Sequence, residues 1–208
     1  MTRTLGAVCK RCRREGVKLF LKGVRCNSPL CAFDRRRTAP GMHGMKRGKM
    51  TEYGVQLREK QKVKTFYGVL EKQFRKYYKM AERSKGNTGK VLMVLLERRF
   101  DNMVYRLGLA SSRAQARQMI AHGHLLLNGR RLDVPSYLTR PGDVIAVKNR
   151  KSSLELAKAA LSVMSQERPD FLILNDTEVP SGVVVREPVA EEVSLVVQPQ
   201  LIVELCSK

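Results

Sequence analysis

The chain has 208 residues, 43% of them hydrophobic, and carries 40 Lys and Arg against 19 Asp and Glu, a formal net charge of +21. That apolar content is enough for one or two packed domains, while self-repulsion at such a charge points to a polyanionic partner. Met1 to Glu15 lacks an apolar signal-type core, and the longest apolar run, Val91 to Leu96, is far too short to span a bilayer, so a cytoplasmic protein with reduced thiols is expected. The charge is uneven. Residues 1–90 hold 25 basic and 6 acidic side chains, residues 91–150 hold 10 and 4, and residues 151–208 hold 5 and 9. The N-terminal part is therefore expected to make the main electrostatic contact, and the C-terminal part to face protein or solvent.

Four of the five cysteines open the chain: Cys9 and Cys12, then Cys26 and Cys31. A Cys-x2-Cys pair followed by a Cys-x4-Cys pair can converge on one tetrahedral ion. The flanking Lys10, Arg11, Arg13, Arg14 and Arg25 are expected to favour the thiolate form. Zinc is the default structural ion for such a set, although a four-cysteine iron–sulfur cluster fits the same ligand count. A segment this basic cannot bury a useful apolar core, so coordination would supply its folding free energy and present Lys10, Arg13, Arg14, Lys18 and Lys22 at fixed positions. Cys206 stands apart, in an apolar run, and reads as a core thiol.

Next come Arg35, Arg36 and Arg37, the loop Pro40 to Gly44 with His43, and then Lys46 and Arg47. Pro and Gly oppose helix, and adjacent arginines invite phosphate contacts, so this is expected to be an extended arm that orders against nucleic acid. From Thr51 the spacing of Val63, Phe66, Tyr67, Leu70, Phe74, Tyr77 and Ala81 predicts two helices, about 52–66 and 68–84, separated at Gly68. A third helix is predicted through Leu92, Leu96, Phe100, Val104 and Leu107 to a stop at Gly108. On it, Glu97 and Asp101 read as surface ion pairs with Arg98, Arg99 and Arg106.

Ser112 with Gln115 forms a capping pattern for a helix from Arg113 to His122, with Arg113 and Arg117 on one exposed face. Leu125 to Leu127 reads as a strand, Asn128-Gly129 as a hairpin turn with Arg130 and Arg131 on its return, and Val144 to Lys148 as a closing strand. Arg113, Arg117, His124, Arg130 and Arg131 are expected to converge on a phosphate backbone. A further helix is predicted from Leu154 to about Gln166, then short strands at Phe171 to Leu174, Gly182 to Arg186 and Val193 to Val197.

The run Val8 to Gly23, with Cys26, Cys31-Ala-Phe33 and Pro40-Gly-Met-His-Gly44, resembles the cysteine-bearing form of the bacterial small-subunit ribosomal protein S-four family. Tyr53 to Lys62 is similar to the same family and adds Arg58 and Lys62 to the RNA-facing candidates. The stretch from Leu96-Glu-Arg-Arg-Phe-Asp-Asn-Met-Val-Tyr-Arg106 through Ser112-Arg-Ala-Gln-Ala-Arg117 to Asn128-Gly-Arg130 resembles that family's RNA-binding module, and Leu201-Ile-Val-Glu-Leu205 matches in kind. Met42, Phe100 and Cys206 depart from the family's habit, and residues 170–200 match it least well.

The resemblance implies an α+β chain: an N-terminal metal-stapled arm (1–50) and helical rRNA-binding domain (51–90), then a two-helix plus small antiparallel β-sheet RNA-binding module (91–161). A strand-rich C-terminal extension (162–208) follows, and the C-terminal end packs back on the helical domain. It also implies a constituent of the 30S subunit, binding the 5′ domain of 16S rRNA, nucleating assembly, affecting decoding accuracy and neighbouring proteins S-five and S-three. No enzymatic activity is expected: Arg131-Leu-Asp133 is similar to a run around the catalytic Asp of one pseudouridine synthase group, but it follows a hairpin within the module and no separate catalytic domain remains. A zinc-containing DNA-binding protein is the other rival, and the Cys segment lacks a recognition-helix pattern for it.

Overall fold

The structure, a computed structural model, describes residues 6–45, 48–163, 168–175 and 178–207. They form two units: the described residues up to Leu92 with those from Ser194 onward, and the segment Met93–Val193. The first begins with three short helices, α1 (Cys9–Glu15), α2 (Val24–Asn27) and α3 (Ala32–Arg35), followed by α4 (Glu52–Tyr67) and α5 (Glu71–Arg83). Thr51 caps α4, its hydroxyl accepting from the Gly54 amide at 3.2 Å, and Gly68 ends it with φ 63°. Val63, Phe66, Tyr67, Phe74, Tyr77 and Ala81 are buried as their spacing predicts, whereas Leu70 stays 41% exposed because it precedes the first turn of α5.

Helix α6 (Thr88–Glu97) contains the start of the second unit, and α7 (Phe100–Arg106) follows it directly. The single helix predicted here is thus broken at Arg98 and Arg99. Arg99 is extended and bridges Leu138, Thr139 donates its amide and hydroxyl to the Arg98 carbonyl, and the first amides of α7 reach the Tyr137 and Pro135 carbonyls. Those carbonyls satisfy donors that an unbroken helix would have bonded internally. Next come α8 (Arg113–Ala121), β1 (Leu125–Leu127), β2 (Arg130–Arg131), β3 (Val144–Val147), α9 (Lys151–Val163), β4 (Leu172–Asn175) and β5 (Ser181–Val184).

The strands form one antiparallel sheet ordered β2-β1-β3-β5-β4. Leu125 opposite Val147 and Leu127 opposite Ile145 set the register so that all four face the core, with Phe100, Met103, Val104, Leu107, Ile120 and Phe171. Each fully buried aliphatic or aromatic side chain there stabilises by roughly 1.5–3 kcal/mol. Helix α9 begins three residues before the predicted start, which turns Ser153 inward, and residues 164–167 of that prediction lie outside the described set.

The predicted strand over 193–197 is corrected. After a 3-10 turn at Ala190–Glu192 the chain is irregular, and α10 (Pro199–Ser207) then packs on α4 within the first unit. Ile202 is buried, Gln56 donates to Glu204 at 3.0 Å and the Gln198 amide to Glu59 at 3.3 Å. The apolar positions of α10 face one helix instead of pairing across a sheet. The two preceding strands join the sheet of the second unit, so the C-terminal segment is divided between the units. Cys206 is half-buried, and burial raises its thiol pKa.

Glu71 ties α4 to α5. It accepts from Lys60 at 2.6 Å, Lys64 at 2.7 Å and Arg75 at 3.1 Å. Partial burial pushes its pKa up, but the three cations outweigh burial and bring it down from the ordinary 4.5 to about 2. The folded-state pKa lies below the unfolded one, so this stabilisation is complete above about pH 4.5 and is lost as pH falls towards 2. Glu71→Gln is expected to lower stability at pH 7 by about 1 kcal/mol, allowing for solvent screening of a partly exposed group. It should also flatten the acid limb of the unfolding midpoint; an unchanged pH profile in urea denaturation would refute the assignment.

Candidate nucleic-acid interface

The break between α6 and α7 builds a polar cluster inside the second unit. Glu97 and Asp101 are 0% and 1% exposed, so the expectation of surface ion pairs is corrected to buried ones. Asp101 accepts from Arg99 through Nε (3.0 Å) and Nη2 (2.7 Å), and from Arg117 through Nε (3.0 Å) and Nη2 (2.5 Å). Asn102 donates to Glu97 and accepts from Arg113 Nε at 2.8 Å, while the Arg113 guanidinium lies 4.4 Å from the Tyr105 ring centroid. Arg106 Nε lies 3.5 Å from Glu97 and its Nη2 donates to the Glu192 carbonyl at 2.6 Å.

Two carboxylates are thus held among four guanidiniums, a pre-organised cluster with a positive surplus. The expectation that Arg113 and Arg117 share an exposed face is corrected. Their face of α8 meets Asp101 and Asn102, leaving Arg113 only 8% exposed, while the Arg117 side chain keeps 28%. The capping pattern at Ser112 is split as well: Ser112 accepts from the Gln115 amide, but the Gln115 side chain turns back to Ser111.

A second cationic group surrounds the turn from α8 to β1. Gly123 takes φ 72°, and a Cβ there would lie 2.7 Å from Arg131 Nε, so glycine both makes the turn and lets Arg131 cross it. His122 and His124 lie near-parallel, 6.2 Å apart, with His124 Nδ1 2.9 Å from Ser153 Oγ. The Lys148 amide donates to the His124 carbonyl at 2.9 Å. Burial, then the charges of His122, Arg150 and Lys148, hold the His124 pKa below its ordinary value. Asn128 and Gly129 (φ 50° and 76°) form the hairpin turn that exposes Arg130 and Arg131. The exposed cations around this turn give it a positive field suited to a phosphate. Lys148 and Arg150, both exposed, belong to this group; sequence reasoning passed over them, although the run Lys148-Asn-Arg-Lys151 directly after β3 marks them.

In the first unit, Lys10, Arg14 and Lys22 are exposed, as are Arg35, Arg36, Arg37 and His43. Arg13 instead turns inward, donating to the Thr38 carbonyl at 2.8 Å and tying the arm to α1. Arg58 pairs with Glu15 at 3.2 Å, and Lys62 with Glu59 in a largely buried contact. Lys46 and Arg47 lie outside the described residues. Beside α1 and the C-terminal half of α4 is a cleft of about 430 Å3, walled by Lys10, Arg11 and Arg14 on one side and Arg58, Gln61 and Thr65 on the other.

Cys12, Cys26 and Cys31 are buried and Cys9 partly so, with the Lys22 amide donating to Cys26 Sγ at 3.3 Å and the Leu19 amide to Cys12. Burial raises the pKa of Cys12 and Cys26, and the neighbouring cysteines raise it further. The basic neighbours therefore do not by themselves lower the pKa of Cys12 or Cys26. Four thiols within electrostatic reach, two of them taking N–H···S bonds, suit a soft divalent ion chemically. Among the described residues, however, no group of three or more His, Cys, Asp or Glu is arranged to hold one, so binding requires the sulfurs to draw together.

Asp101→Asn leaves the Arg99 and Arg117 guanidiniums around a neutral amide and is expected to destabilise the protein by about 3 kcal/mol. Asp133→Asn, on an exposed turn, should change it by less than about 0.5 kcal/mol. Denaturant midpoints compare the two; equal effects would contradict the buried network.

Among the described residues no helix is long and apolar enough to cross a membrane. A family model described as the ribosomal protein S4/S9 N-terminal domain matches residues 3–97, and one described as the S4 domain matches residues 98–145. Over the full length of both chains, the sequence is 53% identical to small ribosomal subunit protein uS4 of Thermoanaerobacter sp. (strain X514). Identity is 51% with the protein of that name from Thermodesulfovibrio yellowstonii and 52% with that from Desulfitobacterium hafniense, again over the whole of each chain. The chain belongs to the small ribosomal subunit protein uS4 family.

Proposed function

We propose that the protein is a structural, non-catalytic constituent of the cytoplasmic 30S subunit. In this reading it binds the 5′ domain of 16S rRNA early in assembly, contributes to translational accuracy, and neighbours proteins S-five and S-three. The observation that carries the reading is the disposition of charge: carboxylates such as Asp101, Glu97 and Glu71 are spent on internal ion pairs, while Arg130, Arg131, Lys148 and Arg150 point outward around one turn. Contacts spread over two units suit a folded RNA better than a duplex groove, which one recognition helix would read.

Binding of the full chain to a 16S 5′-domain transcript, in competition with duplex DNA at matched salt, tests this. Preference for the transcript is expected, and parity with DNA would overturn it. Arg130→Ala with Arg131→Ala is expected to weaken transcript binding and reduce the slope of log affinity against log salt by about 2, one lost phosphate contact each. An unchanged slope would remove the hairpin from the interface.

The same reading includes one structural zinc ion on Cys9, Cys12, Cys26 and Cys31. When bound, it would fix the arm by coordinating four deprotonated sulfurs. Support comes from the burial of three of the four thiols and the amide bonds to Cys12 and Cys26. Native mass spectrometry is expected to find one zinc per chain, lost in Cys9→Ser with Cys12→Ser together with protease protection of the arm. A metal-free native chain would end the assignment.

A further inference from the structure

We propose that the cleft between α1 and α4 seats a single nucleotide everted from the bound RNA, with its phosphate on α1 and its base against α4; the inference rests on the RNA-binding reading above. The cleft is about 430 Å3, within the roughly 300–1,000 Å3 that small-molecule sites span, and a duplex cannot enter it.

Its chemistry is divided by wall. Lys10 and Arg11 each lie one turn from Arg14 on α1 and make no ion pair among the described residues; Glu15, which also lines this wall, is engaged by Arg58 at 3.2 Å, and Arg14 donates to the Pro40 carbonyl at 3.4 Å. The cations of the other wall are already matched, Arg58 by Glu15 at 3.2 Å and Lys64 by Glu71 at 2.7 Å. Anion attraction is therefore strongest on the α1 side.

The α4 side offers what a phosphate does not need. Gln61 and Thr65, one turn apart, supply neutral donors and acceptors, and Val69 and Leu70 form an apolar floor, while Pro40 lines the α1 side with Arg14. Leu70 is 41% exposed there, an aliphatic side chain left in the lining of a basic cleft. An apolar floor beside an amide and a hydroxyl accommodates a base face and reads its edge, and RNA recognition that goes beyond backbone contact works on such unstacked bases.

The full chain is titrated with each of the four 5′-nucleoside monophosphates and with inorganic phosphate, followed by amide NMR shifts of residues 10–14 and 58–70. At least one monophosphate is expected to bind about tenfold tighter than inorganic phosphate, the scale that burying part of a base face on aliphatic side chains adds. Gln61→Ala with Thr65→Val should bring that ligand down to the level of phosphate without weakening phosphate itself, and Arg11→Ala with Arg14→Ala should weaken all five ligands. Equal affinity for the five, an anion site only, would overturn the proposal, as would a nucleotide preference that survives the α4 variant. The transcript is measured on the same wild-type sample. Transcript binding retained alongside equal ligand affinities removes the nucleotide site alone, whereas absent transcript binding removes the RNA reading beneath it.

Discussion

Folding a chain with a net charge of +21 depends on how its carboxylates restrain the cations around them, and the most deeply engaged hold more than one. Glu71 holds Lys60, Lys64 and Arg75, and Asp101 holds Arg99 and Arg117. Glu15, Asp34 and Glu59 each hold a cation from another turn or element. An exposed pair such as Lys18–Asp34 is worth little singly, but the buried Asp101 site is different: with the anion removed, its guanidiniums would stay in a medium that penalises them. Pairing the buried anions with some of the cations while leaving other cations outside solves two problems at once. The interior becomes tolerable, and the surface charge remains uncompensated until a polyanion arrives.

This allocation explains why the two cationic regions of the second unit differ. Arg113 and Arg117 sit beside buried carboxyl and amide groups, and their positions are set by the fold before any ligand binds. Around the turn from α8 to β1 the opposite holds. Arg131 crosses Gly123, and Lys148 and Arg150 lie within electrostatic reach of His124, whose pKa is held down first by burial and then by the charges of His122, Arg150 and Lys148. The first arrangement supplies rigidity, and the second leaves like charges exposed without a carboxylate among them.

Much of the fold is legible in the sequence because it is local. The Thr51 cap, the stop at Gly68, the aromatic stripe of α4 and α5, and the Asn128-Gly129 hairpin are all written within a few neighbouring residues. What is not legible comes from distance. The apolar spacing from Leu92 to Leu107 runs unbroken, and the groups that split that helix, Thr139 and the carbonyls of Pro135 and Tyr137, lie far along the chain; Arg98 and Thr139 are 41 residues apart. The same break carries Asp101 and Asn102 to α8, so it also hides the burial of Arg113. At the C-terminus, Val193 to Val197 is largely β-branched and reads as strand, but among the described residues it pairs with no strand, and α10 is defined by what α4 offers it. The cationic residues were recognisable by type; which of them face outward was not, since that depends on where the carboxylates lie.

The return of α10 to α4 bears on synthesis. Gln56 and Glu204, which meet in the first unit, are separated by 148 residues, with the whole second unit between them. During vectorial translation the hairpin module emerges complete while the earlier helical pair still lacks its third partner, so the segment that starts first is finished last. Closing so long a loop is entropically cheaper once the intervening residues are compact. A chain stalled shortly before Pro199 would thus carry an intact module beside an open helical face, a hybrid able to grip its RNA with one hand only.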